Sequence, residues 1–310
     1  MYPLVNIVCG RGSRYLAEKI ADCYGQKLGD VRFTDFADGE FQPSFEDNIR
    51  GNEVFIVQST FAPSDNLFEL LLMIDAAKRA SARHIIAVIP YFGFARQDRK
   101  DKPRVSIAAK LVANLLTAAG VHRIITIDLH ADQIQGFFDL PVDHLFASSI
   151  FIPYLQKLDL PNLIMASPDT GGTRRAAAYA KIMHTGFAIC YKQRSKPNQV
   201  ENMALIGDVT NKNVVLVDDI IDTGGTLTKS AKLIMENGAA SVRAFCTHPV
   251  LSKDAYENIN NSVFTEIFVT DTIPLRQQND KIKVISCASL LSDVIRKVQN
   301  CESISSLFKF

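Results

Sequence analysis

The sequence predicts an α/β protein of two domains, each a mostly parallel sheet flanked by helices. Three observations carry this. Its 310 residues suit two domains of ordinary size. Its apolar runs are short, continuous and β-branched, as in strands covered on both faces, rather than alternating. Between them lie stretches with helical start and stop signals, and strictly alternating β and α implies parallel strands joined by crossover helices.

In chain order, strands are expected at Leu4 to Cys9 and Val54 to Gln58. Leu70 to Pro90, Ile107 to Asp128 and Leu227 to His248 each read as a helix ending at small residues, then a basic residue, then a β-branched run. Ser106 and Thr226 mark helix starts; Gly120 and Gly238 mark stops. Further strands are expected at Leu163 to Ala166, Phe187 to Tyr191 and Val214 to Val217. Ala109-Lys110-Leu111 and Ala231-Lys232-Leu233 occupy similar places in their helices, which points to a duplicated unit. The Pro141 to Phe146 connection sets a boundary, giving domains 1–146 and 147–310. A last helix around Leu290 to Val298 could pack on either.

Net charge is +1, with 47% hydrophobic and 22% charged residues. That composition excludes a disordered chain and an electrostatic nucleic-acid binder. The six cysteines show no C-x-x-C spacing; Cys9, Cys190, Cys246 and Cys287 sit in apolar strand-like runs, where a thiol acts as a small buried hydrophobe. The richest apolar segment, Leu67 to Ala77, is broken by Glu69 and Asp75, and the first residues have no basic region before their apolar stretch. A reduced, cytoplasmic protein without membrane spans is expected.

Chemistry concentrates where strands end. Val214 to Val217 runs into Asp218-Asp219-Ile220-Ile221-Asp222-Thr223-Gly224-Gly225-Thr226, an acidic loop and a Gly-rich turn opening a helix at the carboxyl edge of a parallel sheet, where ligands bind. Backbone amides, two hydroxyls and the helix dipole make a phosphate cradle, and without a Walker lysine it is not the nucleotide P-loop. Asp218 and Asp219 could accept hydrogen bonds from sugar hydroxyls, so the whole stretch suits a sugar phosphate.

A second turn, Pro168-Asp169-Thr170-Gly171-Gly172-Thr173, is followed by Arg174-Arg175 and suits a metal-bound diphosphate, though a Gly-Gly turn also simply opens helices. His130, in Asp128-Leu129-His130-Ala131-Asp132, stands at a strand end as a ligand or a structural histidine. Tyr91 to Arg104, with five cations against two acids, carries charge suited to a triphosphate or to solvent. Tyr191 to Asn198 reads as a polar, basic lid over a reacting phosphoryl group, or as a surface loop.

Together these motifs resemble the ribose-phosphate pyrophosphokinase family. The resemblance extends through Phe36-Ala37-Asp38-Gly39-Glu40, Tyr91 to Arg99, Asp128 to Ala131, Gln133 to Phe138 and the tail Glu302 to Ser305. It implies two phosphoribosyltransferase-like domains and transfer of the β,γ-diphosphoryl group of Mg-ATP to the anomeric hydroxyl of ribose 5-phosphate, releasing AMP. By the resemblance, Asp222, Thr223, Gly224, Gly225 and Thr226 hold the 5-phosphate and Asp218 and Asp219 the ribose. Arg96 and Gln97 contact ATP; His130 and Asp169 bind Mg2+; Lys192 and Arg194 are catalytic lid residues. Phe36, Asp38 and Glu40 match an adenine-binding segment donated by a neighbouring subunit, which implies a homo-oligomer, commonly a hexamer. ADP and phosphate are implied effectors, with Arg50 and Ser303 to Ser306 as matching segments. Gln193, Ala37 and Lys253 depart from the family's usual Arg, Ser and Gly, and none removes a catalytic group. Two rivals are a phosphoribosyltransferase, which would consume the diphosphate with a base, and a catalytically silent regulatory subunit.

Overall fold

The computed structural model describes residues 4–193 and 202–307, which form two compact units: residues 4–146 with 287–307, and residues 147–286. In the first, the chain runs β1 (Val5–Cys9), α1 (Arg14–Tyr24), β2 (Val31–Asp35), β3 (Phe41–Phe45), β4 (Glu53–Val57), α2 (Asp65–Arg79), β5 (His84–Ile89), α3 (Ala108–Ala119), β6 (Arg123–Ile127) and β7 (Val142–Leu145). In the second it runs α4 (Ser148–Lys157), β8 (Leu163–Ser167), α5 (Thr173–Met183), β9 (Phe187–Gln193), β10 (Asn202–Ile206), β11 (Asn213–Ile221), α6 (Gly225–Glu236), β12 (Ser241–Pro249), α7 (Ala255–Asn260), β13 (Glu266–Thr270) and β14 (Ile282–Ile285). α8 (Ala288–Gln299) returns to the first unit.

The expected α/β class holds. The first sheet has order β1-β4-β5-β6-β7 with every pair parallel. The second has order β10-β9-β8-β11-β12-β13-β14, parallel except for β10. The duplication shows in the topology. β1, β4, β5, β6 and β7 have the same order and direction as β8, β11, β12, β13 and β14, and each unit places a hairpin between its first two core strands. In the second unit that hairpin, β9-β10, joins the sheet edge; in the first, β2-β3 stands as its own sheet.

Each sheet is buried by helices packed on it. Ile56, Ala87 and Ile89 meet Leu70, Met73, Ile74, Ala109 and Leu116 in the first core. Val214, Leu216, Ala244, Ile267 and Val269 meet Leu227, Ala231 and Ile234 in the second. A buried Leu or Ile contributes about 1.5–3 kcal/mol, so these stripes fix which helix face turns inward. The last helix, which the sequence left undecided, packs on α1. It buries Leu291, Val294 and Ile295 at helical spacing, and the Arg296 guanidinium lies 4.8 Å from the Tyr24 ring centroid.

Several elements differ from the sequence reading. β2 and β3 lie in a stretch without a continuous apolar run: inward Val31, Phe33 and Phe45 alternate with exposed Arg32, Thr34 and Ser44. The Pro141 to Phe146 connection is largely an edge strand, β7, whose Asp143 accepts two hydrogen bonds of 2.8 Å from Arg123. β11 continues past Val217 through both aspartates to Ile221; its apolar signal stops early because ligand-facing groups replace core residues there. β13 and β14 are further strands, and α6 starts at Gly225 rather than after Thr226. Cys287 is buried at the start of α8, not in a strand, and all six cysteines are free thiols. Burial pushes the Cys9 thiol up to about 12 and Cys190 to about 11, so both stay protonated and inert. Among the described residues no helix is long and apolar enough to cross a membrane.

Gly93, just after β5, is packed so closely that an added Cβ would lie 2.0 Å from the Thr60 carbonyl oxygen. Gly93→Ala is expected to lower stability by about 3 kcal/mol, since a backbone atom cannot step aside. Gly136→Ala, where an added Cβ meets nothing within 4 Å, should be near neutral. Urea midpoints of the two variants check the contrast.

Candidate active site

In the second unit the sheet's carboxyl edge gathers three of the segments singled out in the sequence. β8 and β11 are parallel neighbours, with Ala166 opposite Leu216, so the loops that follow them emerge side by side. Ser230 on α6 donates to the Pro168 carbonyl at 3.0 Å, tying the turn after β8 to the helix after β11. Arg175, on α5, donates to Asp219 at 3.1 Å and stands 3.6 Å from Asp218.

One guanidinium therefore faces two adjacent carboxylates. Asp219 is only 7% exposed, and Asp218 accepts its neighbour's backbone N–H at 2.9 Å. Burial and the charge of Asp219 push the Asp218 carboxyl well above its usual range, against the pull of Arg175. Such a group resists ionisation until a donor arrives, and sugar hydroxyls are donors of that kind.

Beyond Ile221 the chain turns through Asp222 to Thr226. Gly224 has φ +73°, a left-handed conformation that costs a side chain about 1 kcal/mol or more and glycine nothing. The turn is pinned from outside: Asn258 donates to the Thr223 carbonyl at 2.9 Å, the Ser252 amide donates to the Asp222 carbonyl at 3.0 Å, and the Ser252 hydroxyl donates to the Asp222 carboxylate. The first turn of α6 then offers amides and the positive end of its dipole at one point, flanked by the Thr223 and Thr226 hydroxyls.

Asp169 is half-buried after β8, and its Oδ1 accepts the Gly172 amide at 3.0 Å. β9 runs parallel to β8 and so leaves the sheet at the same edge. Lys192 lies on this strand, opposite Met203 of β10; the expected lid thus begins as regular strand. Arg194 lies outside the described residues.

In the first unit the structure links two more sequence-picked segments. Arg96 and Gln97 are exposed beyond β5, and Asp98 beside them accepts a 3.0 Å hydrogen bond from Gln133, three residues past His130. The His130 loop is held from behind: the Leu129 amide donates to Nε2 of buried His144 at 2.8 Å. Phe36, Asp38 and Glu40 form the tip of the β2-β3 hairpin, exposed and closed by Phe36 N–H to Glu40 O (2.8 Å) and Glu40 N–H to Asp38 Oδ1 (3.1 Å).

His130 and Asp169 belong to different units, and among the described residues no three His, Cys, Asp or Glu side chains cluster as a metal site. The donors still fit magnesium: Asp169 offers a hard oxygen of the kind it takes directly, and an exposed imidazole suits contact through water. No local sequence pattern marks Ser230, Ser252, Asn258 or His144, which act on loops 15 to 62 residues away in the chain. Arg175 stood in view beside the Gly-Gly turn, two residues past Thr173, but only the register of α5 against β11 reveals its partner.

Comparison with known proteins places this geometry. Residues 5–120 match the family model for the N-terminal domain of ribose phosphate pyrophosphokinase, and residues 192–309 match the phosphoribosyl synthetase-associated domain. A ribose-phosphate pyrophosphokinase of Porphyromonas gingivalis is 56% identical over 306 residues, 98% of both chains. One from Chlorobaculum tepidum is 51% identical, over 98% of this chain and 95% of its own. The crystal structure of phosphoribosylpyrophosphate synthetase from Mycobacterium smegmatis superposes with a TM-score of 0.90 at 38% identity, over 96% of this chain and 99% of its own. With two family models and full-length relatives above half identity in agreement, the chain belongs to the ribose-phosphate pyrophosphokinase family.

Proposed function

We propose that this chain makes 5-phospho-α-D-ribose 1-diphosphate and AMP from ATP and ribose 5-phosphate. The observation that carries the reading is β11 itself: a carboxylate pair suited to ribose hydroxyls leads directly into a phosphate cradle at the helix N-terminus, in the order the substrate's own groups require. Asp218 and Asp219 take the hydroxyls, and Asp222, Thr223, Gly224, Gly225 and Thr226 take the 5-phosphate. The anomeric oxygen then bonds to the β-phosphorus as its proton passes to solvent, and the bond from the β-phosphorus to the oxygen bridging to the α-phosphorus breaks, so that AMP leaves with that oxygen. Arg96 and Gln97 hold the nucleotide phosphates, while Phe36, Asp38 and Glu40 of a neighbouring subunit hold the adenine. His130 of the first unit and Asp169 of the second are each assigned to magnesium binding, and magnesium would neutralise charge on the nucleotide phosphates. Lys192 and Arg194 stabilise charge developing around the transferred group, which asks for alignment and electrostatics more than covalent catalysis.

The reading extends to a cytoplasmic homo-oligomer, a hexamer, whose adenine segments complete neighbouring sites. It also extends to ADP and phosphate as effectors at Arg50 and Ser303 to Ser306. Arg50 donates to the Ser81 hydroxyl at 3.0 Å, and Ser303 donates to Ser305 at 3.0 Å. A silent regulatory subunit would have no physical use for both the carboxylate pair and the cradle.

Purified chain with magnesium, ATP and ribose 5-phosphate, followed by phosphorus NMR, should yield AMP and a sugar diphosphate. ADP would mean attack on the γ-phosphorus and another reaction. Lys192→Ala and Arg194→Ala should each lower kcat by about 100-fold or more with KM for ribose 5-phosphate nearly unchanged; steady-state kinetics reads both. Asp218→Asn should raise that KM while raising the melting temperature of the ligand-free protein at neutral pH, because an amide has no ionisation for Asp219 and the surrounding protein to oppose. The parent's folded state holds the Asp218 proton longer than the unfolded chain does. Its stability should therefore decline as pH rises from about 4 toward the raised folded value, and the Asn variant should lose that decline.

A further inference from the structure

Arg11, in the short 3₁₀ turn after β1, makes a set of contacts that the proposed chemistry does not use. Its backbone N–H donates to Glu69 Oε2 at 3.0 Å and its Nε to Glu69 Oε1 at 2.5 Å. Its Nη1 donates to Asp35 at 2.7 Å. The guanidinium carbon also lies 4.9 Å from the Phe33 ring centroid and 5.0 Å from that of Phe41. One side chain thus touches β2, β3 and the last residue of β2, while gripping a carboxylate on α2 that is 3% exposed. Gln58 steadies the same carboxylate through Nε2 at 3.2 Å.

The position of these contacts gives them a purpose. The inner part of the hairpin is fixed by Val31, Phe33 and Phe45 packing on the core. At its outer end Phe41, opposite Asp35, meets Phe68 of α2 edge-on with ring centroids 6.2 Å apart, while Phe36, the next residue after Asp35, is 48% exposed. Arg11 holds that outer end at the point where the strand gives way to the Phe36 to Glu40 turn, and the turn is itself closed by hydrogen bonds. Orientation therefore passes from a buried anchor, Glu69, through a planar forked cation to the rigid tip. A lysine could neutralise Glu69 but could not grip two carboxylates and lie against two rings at once.

We propose that Arg11 is a positioning residue for nucleotide binding: through Glu69 and Asp35 it sets the pose of the hairpin tip that meets the adenine. The inference rests on the reading that Phe36, Asp38 and Glu40 contact ATP. Arg11 itself need not touch the nucleotide.

Two variants separate the clamp from general stability. Arg11→Lys keeps a positive charge for Glu69, and Asp35→Asn leaves the Arg11–Glu69 pair and the ring contacts in place and weakens the ionic arm to the hairpin. Each should raise KM for ATP, Arg11→Lys by about fivefold and Asp35→Asn by about threefold, with saturated kcat and KM for ribose 5-phosphate within about twofold. Hydrogen exchange should quicken about tenfold across residues 31–45 and stay unchanged in β4 and β5. The double variant should be no worse than Arg11→Lys alone, since both cut one path.

Phe36→Ala serves as the reference for the adenine reading. If Phe36→Ala raises KM for ATP while Arg11→Lys and Asp35→Asn leave it unmoved, the positioning role is overturned and the adenine reading stands, whatever the exchange shows. Unchanged exchange in residues 31–45 would overturn it equally. If Phe36→Ala is silent as well, the adenine reading fails and the proposal falls with it.

Discussion

Two carboxylates side by side at the end of a buried strand repel each other and resist desolvation, and the Arg175 guanidinium, 3.1 Å from Asp219 and 3.6 Å from Asp218, offsets part of this. That arrangement shapes everything at this edge. β11 must run unbroken through Asp218 and Asp219 to hold them there, and α5 must start where it does for Arg175 to face them. Holding two adjacent carboxyls at this edge costs stability in the ligand-free protein. It makes sense where a ligand with several hydroxyl donors completes the hydrogen bonding, and the cradle a few residues further along states what else that ligand carries.

The two halves use one topology for different ends. In the second, the loops after β8 and β11 are shaped by tight turns and pinned by bonds from Ser230, Ser252 and Asn258. In the first, the loops after β1 and β4 are filled by the protein's own side chains. A Cβ at Gly10 would lie 2.5 Å from the Gln58 side chain, and one at Gly12 would lie 2.4 Å from that of Asn66. Gln58 and Glu69 occupy the space with Arg11. A duplicated fold has thus divided its labour: one half carries the edge proposed for the sugar phosphate, and the other uses the corresponding edge as support for a projecting segment.

Much of this was legible in the sequence because strand ends in parallel sheets announce themselves. A continuous apolar run followed by Asp, Thr and Gly in a row identified the β11 loop without aid, and the weaker turn after β8 followed the same logic. The β2-β3 hairpin escaped notice because a strand covered on one side alternates, and Arg32 and Thr34 dilute its apolar signal. β7 read as a connection because Asp143 and His144 are polar yet buried, Asp143 through Arg123 and His144 through the Leu129 amide. Residues such as Ser252 and His144 act through hydrogen bonds to backbone far off in the chain, and no local pattern encodes such partners.

The central claim is that a phosphorylated pentose sits along the end of β11 with its phosphate on the first turn of α6. Crystals grown with ribose 5-phosphate and a non-hydrolysable ATP analogue test it most directly. The account requires phosphate density within hydrogen-bonding distance of the Thr223 to Thr226 amides and ribose hydroxyls on Asp218 and Asp219. A sugar phosphate bound elsewhere, with this edge left to solvent, would contradict it.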